Sequence, residues 1–96
     1  MGSERLNVGL RIREAAALRS AGKPRDALDL TEATARLPSV NVRQRVLLHT
    51  NRAACWMDLD EVELARREAG RGYALDTNDL GILAVYSRIN AAERRG

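Results

Sequence analysis

Apolar residues return every three or four positions along most of this chain, the spacing that places them on one side of a helix. The pattern breaks at four clusters of turn-forming residues and so predicts five helices. Ser3 is placed to cap a first helix that runs to Ala21, with Leu6, Leu10, Ala17, Leu18 and Ala21 inward. Gly22-Lys23-Pro24 ends it, because glycine suits a left-handed cap and proline stops one helix while opening the next. The second helix covers Pro24 to Leu37, with a narrow stripe of Ala27, Leu28, Leu30, Thr31, Thr34 and Ala35. Pro38 closes it by driving Leu37 toward extended backbone, and Ser39-Val40-Asn41 is a short connection. The third spans Val42 to Leu59, with Val46, Leu47, Thr50, Ala53, Ala54 and Met57 inward. After a turn at Asp58 to Asp60, the fourth runs from Glu61 to Leu75 and turns Val62, Ala65, Ala69, Gly72 and Tyr73 to the core. Asp76-Thr77-Asn78-Asp79 is a polar turn with two capping candidates. The fifth helix buries Ile82, Leu83, Val85, Tyr86, Ile89 and Ala92 and frays at Arg94-Arg95-Gly96.

Connections this short make neighbouring helices antiparallel, so the fold class is all-α, in one domain over 1–96. Composition agrees: Ala, Leu and Val dominate, Phe is absent, and Trp56, Tyr73 and Tyr86 are the aromatic residues. Met1-Gly2-Ser3 is compatible with an expression scar or a myristoylation start. A myristoylation start would want Ser or Thr where Leu6 stands. The single cysteine excludes an internal disulfide and suits a reducing compartment. No apolar run approaches the ~20 residues of a membrane span, and no signal-peptide core is visible. The expectation is a cytoplasmic protein that does not enter a membrane.

The two helix pairs resemble each other. Gly22-Lys23-Pro24-Arg25-Asp26-Ala27 in the first corresponds to Asp60-Glu61-Val62-Glu63-Leu64-Ala65 in the second, with an alanine five residues after the turn position. Closely packed antiparallel helices need small residues where their backbones approach, and Ala27, Ala53, Ala65, Ala69 and Gly72 supply them. On these residues, and on Asn51-Arg52-Ala53-Ala54-Cys55-Trp56 with the Leu75-Asp76 ending, the chain resembles the tetratricopeptide repeat (TPR) family. Thr77 replaces that family's proline, and the first unit matches chiefly at Gly22, Ala27 and Leu28. The step from Ala27 to Ala65 is about four residues longer than the family period of about 34, with the extra residues placed near Leu37 to Val42. The resemblance implies an α-α superhelix of two repeats plus a capping helix, whose first, third and fifth helices line a concave groove for a partner peptide or helix. One subgroup of that family grips the C-terminal carboxylate of heat-shock chaperones. Asn51 falls on one of its positions, but Ile12, Ala16, Gly81 and Val85 fall on the others and cannot donate a side-chain hydrogen bond.

Charge changes the picture modestly. Sixteen basic and thirteen acidic side chains give +3, too little to argue for nucleic acid by density. Their distribution is more informative. The first, third and fifth helices carry ten arginines against five carboxylates, a net +5, whereas the second and fourth carry five against six, a net −1. This predicts an arginine-lined groove for an acidic peptide, with Arg13, Arg45, His49, Asn51, Arg52 and Arg88 as its residues. The alternative for each arginine is a solvated surface charge.

Other chemistry finds no constellation. His49 and Cys55 are six residues apart, on different helix faces, which argues against a metal pair or a Cys–His nucleophile. Cys55 reads as a small core residue and Trp56 as an aromatic plug between repeats. Asp58 to Glu63 is similar to a calcium loop but lacks its glycine at the sixth position. No catalytic, cofactor or metal site is expected. A helix-turn-helix reading for nucleic acid stays open, though no recognition helix rich in Arg, Asn and Gln is visible. Self-association also stays open, because two repeats fall short of the ~3 usual in a stable solenoid.

Overall fold

The computed structural model describes residues 3–95, with side chains from Asn7 onward, so Met1, Gly2, the expected cap at Ser3 and Leu6 lie outside the described side chains. Five helices follow in order: α1 (Ser3–Ser20), α2 (Pro24–Ala35), α3 (Val42–Asp58), α4 (Val62–Leu75) and α5 (Leu80–Arg95), with no strand among the described residues. Each boundary lies within two residues of the one expected from the turn formers.

The turns carry their chemistry openly. At the end of α1, the Lys23 amide donates to the Leu18 carbonyl at 2.9 Å and the Gly22 amide to the Arg19 carbonyl at 3.0 Å. This is a Schellman closure, with Gly22 at φ +79°. The end of α3 repeats it, displaced along the chain by the Ala27-to-Ala65 interval: Glu61 donates to Trp56 at 2.8 Å and Asp60 to Met57 at 3.0 Å. There Asp60 takes the left-handed position, at φ +60°. Asn41 caps α3 through a capping box with Gln44. Asp79, the same interval beyond Asn41, caps α5 by accepting from the Ile82 amide at 3.0 Å.

The core obeys the same period. Val8 and Val46, Ala15 and Ala53, Ala27 and Ala65, and Thr31 and Ala69 are pairs with one common separation, every member buried. Packing runs serially. Helix α1 touches α2 and α3, α2 touches α3, and α3 touches α4 and α5, which touch each other. Among the described residues, no Cα of α2 lies within 8 Å of one in α4, and the same holds for α1 and α5. The result is a row measuring 49 × 28 × 17 Å. Three small apolar clusters follow one another along it, and half-buried Trp56 packs against two of them, the Ala15–Ala27–Leu28–Cys55 group and the Ala53–Ala65–Ala69–Ile89 group.

Helix α1 departs from its expected inner face. Val8 and Ala15 are buried, whereas Leu10 is 56% exposed and Ala17 and Ala21 face solvent. The run Ala15-Ala16-Ala17 and the scattered apolar residues offer several stripes, and contact with α2 and α3 selects the one led by Val8 and Ala15. Tyr73 and Leu83, also expected inward, are each 42% exposed. Leu48, not expected inside, is buried beside Val8 and Val40. Among the described residues, no helix is long and apolar enough to cross a membrane.

Candidate functional site

Because the backbones of α2 and α4 stand apart, a cleft opens between them, floored by α3. It encloses about 260 Å³ and is lined by Glu32 and Ala35 of α2 and Arg36 just beyond its end, Arg45, Leu48, His49 and Arg52 of α3, and Glu68 and Arg71 of α4. Positions 45, 49 and 52 follow helical spacing, so α3 presents one side to the cleft.

Glu68 is the keystone of the floor. It sits on the small-residue stripe of α4 with Ala65, Ala69 and Gly72, and only 4% of it is exposed. One carboxylate oxygen accepts from His49 Nδ1 at 2.7 Å and the other from Arg52 Nε at 3.1 Å. Burial pushes this carboxyl up, but the His49 hydrogen bond and the Arg52 guanidinium outweigh it and hold Glu68 below its ordinary value. An ionised carboxylate only accepts, so His49 Nδ1 carries the proton and donates. Arg52 also sends Nη1 to the Leu28 carbonyl at 2.9 Å and to Thr31 Oγ1 at 3.0 Å. One guanidinium thus joins α2 and α4, whose backbones stand apart.

That geometry sorts the six residues expected to line a groove. Arg45, His49 and Arg52 share the cleft, but on the α2/α4 side of α3 and not beside α1 and α5 as expected. Arg52 is largely buried and engaged internally, so it positions the floor instead of meeting a partner. Asn51 lies two residues, hence about 200°, round the helix from His49 and accepts from Cys55 Sγ at 3.5 Å. Arg88 is on α5 and donates to Asp58 at 3.3 Å, a carboxylate it shares with Arg19 of α1 at 2.7 Å. Arg13 is exposed on the side of α1 turned away from buried Ala15. One groove therefore does not collect all six. A pattern of three- and four-residue spacings defines a stripe on one helix but not the neighbours that the stripe will meet.

Glu68, Arg36 and Arg71 were not expected at the site. Glu68 was the findable one: a carboxylate three residues after Ala65 and one before Ala69 interrupts a stripe of small inward residues. Arg45 and Arg71 have no carboxylate partner among the described residues, and Arg36 pairs with Glu32 at 2.9 Å on an exposed edge. Four arginines against Glu32 and Glu68 leave the lining at +2.

Elsewhere, Cys55 is buried and its thiol is pushed up to about 11 by burial, so it stays protonated at neutral pH. Asp79 is held below its ordinary value by a hydrogen bond from Arg43 at 2.8 Å, which joins the start of α3 to the start of α5. Neither lines the cleft. The chain matches no protein-family model, and neither a curated protein nor a solved structure is significantly similar to it.

Proposed function

We propose that this chain is a binding module of the tetratricopeptide type, and that it takes an anionic segment of a partner protein in the cleft between α2 and α4. Three features support the repeat reading. Helices α1, α3 and α5 succeed one another through direct contact while α2 and α4 stay apart. Turns, caps and core alanines recur at a single interval, the one from Ala27 to Ala65. Fully buried Ala27, Ala53, Ala65 and Ala69 let the helices lie close.

The observation that carries the location is the presence of Arg45 and Arg71 on adjacent helices in a cleft, unpaired by any carboxylate of the described residues. On the α1/α3/α5 side, by contrast, Arg19 and Arg88 are engaged by Asp58. Guanidinium groups are suited to carboxylate and phosphate oxygens, which they bind through paired hydrogen bonds. The test is a fluorescence-polarisation titration with a glutamate-rich peptide against a glutamine-rich control. The double variant Arg45→Glu, Arg71→Glu should weaken the acidic peptide at least ~10-fold, with an unchanged melting curve, since loss of a charged hydrogen bond is worth about 1.5–3 kcal/mol. Undiminished binding by the variant would remove the assignment.

A second reading, self-association, is favoured by Leu80 at 81% exposed, with Leu83 at 42% on the same helix and Leu75 at 43% before the turn. Sedimentation equilibrium over a wide concentration range checks it. Mass that rises with concentration, and stays flat in Leu80→Lys, is the expected outcome for a dimer joined at that end.

A further inference from the structure

The cleft has a size, a charge and an arrangement of donors that define its guest more narrowly. We infer that it is a socket for a phosphoryl group, an inference that rests on the anionic-segment reading above. At about 260 Å³ it lies below the ~300–1,000 Å³ of pockets that enclose drug-sized ligands, so it holds the end of one side chain and not a helix.

The donors come from three directions: Arg36 just after α2, where it also donates to Glu32, Arg45 from α3 and Arg71 from α4. A carboxylate offers two oxygens in one plane, which a single guanidinium satisfies. A phosphoryl monoester offers three terminal oxygens around a tetrahedral centre and a charge of about −1.5 to −2 at neutral pH. That charge matches the +2 of the lining, whereas a monoanion would leave about half of it uncompensated.

The floor is prepared for such a guest. Both oxygens of Glu68 are engaged, one by His49 and one by Arg52, so its negative charge is screened from the cleft. Leu48 and Ala35 give an apolar wall, which strengthens the electrostatic attraction beside it.

The experiment uses the full chain and NMR titration at fixed pH and ionic strength. The probes are inorganic phosphate, acetate, and two pentapeptides blocked at both ends, Gly-Gly-pSer-Gly-Gly and its Glu counterpart. The phosphoserine peptide should bind at least about tenfold more tightly than the Glu peptide, the equivalent of one additional charge-assisted hydrogen bond. Shifts should centre on residues 36, 45, 49 and 71, and Arg45→Gln with Arg71→Gln should abolish the preference while leaving the melting temperature in place. Phosphate competing as well as the phosphopeptide would support the socket and assign it to a small phosphomonoester. A phosphopeptide that outbinds free phosphate would support it and assign it to a modified partner side chain. Equal affinity for the two peptides overturns the phosphoryl preference and leaves the anionic-segment reading standing. Binding by neither peptide removes both.

Discussion

The α1–α2 and α3–α4 hairpins share turns, period and buried alanines, yet they are held together by different forces. Position 30 in the first hairpin is a half-buried leucine packed against its apolar cluster. Position 68, its equivalent in the second hairpin, is a buried glutamate tied to His49 and Arg52. Position 34 is a threonine whose hydroxyl turns back to the Leu30 carbonyl at 2.7 Å. Its equivalent is Gly72, against which Ile82 and His49 press. One scaffold thus accommodates an apolar seam and a polar one. The difference places the cleft: the hairpin that imports charge into its seam also supplies Arg45 and Arg71 beside it. A repeat backbone leaves the choice of chemistry to a few positions.

Removing the keystone breaks the comparison most severely. Glu68→Gln leaves Arg52 buried beside a neutral group, and losing one partner of a buried pair typically costs about 3–5 kcal/mol. Leu30→Gln, at the matching position, should cost less, because it strands no buried charge. Urea unfolding of both variants measures the gap. The parent should also show an acid limb. With Glu68 held below its ordinary value, its contribution is fully present above the unfolded carboxylate pKa of ~4.3 and fades as pH falls through the lower folded value. Glu68→Gln should lack that component. If stability at pH 7 is unchanged in Glu68→Gln, the carboxylate is not what joins the helices.

The close approach at Gly72 gives the next effect. A Cβ there would overlap Ile82 Cδ1 and meet His49 Cβ at 3.1 Å. Gly72→Ala should therefore destabilise by about 1–3 kcal/mol through overpacking, despite alanine's better helix propensity. Ile82→Val removes the offending methyl. The double variant should lose less than the sum of the two singles, a coupling that thermal melts of the four-member cycle would resolve.

Much of this architecture is legible without coordinates. Gly22, Pro24, Pro38 and Asp79 mark boundaries because their backbone or capping chemistry is local, and a local property can be read from neighbouring residues. The small-residue stripe of α4 is legible because alternatives such as Leu64 and Arg66 are bulky or charged. The inner face of α1 is not, since its alanine run makes several stripes nearly equal and only contact with α2 and α3 decides among them. The cleft lining is legible only in part, for the same reason. Spacing places Arg45, His49 and Arg52 together on one helix, but Glu32, Arg36, Glu68 and Arg71 reach them only through the third dimension. The side of α3 they occupy depends on α2 and α4 standing apart, which no single-helix pattern encodes.

The smallest predicted effect concerns the turns that the hairpins share. Both close with a residue in the left-handed region, Gly22 at φ +79° and Asp60 at φ +60°. For an ordinary side chain that conformation costs roughly 1–2 kcal/mol, less for aspartate because its short polar group tolerates it. Glycine avoids the cost but loses more chain entropy on folding. The difference should leave Asp60→Gly more stable by up to about 1 kcal/mol, and the reciprocal Gly22→Asp less stable by a similar amount. Neither alters buried surface, so the urea midpoint should move while the slope stays constant. A destabilised Asp60→Gly would mean that the aspartate does something at that turn beyond occupying a left-handed position, and the two closures would then be alike in geometry but not in energy.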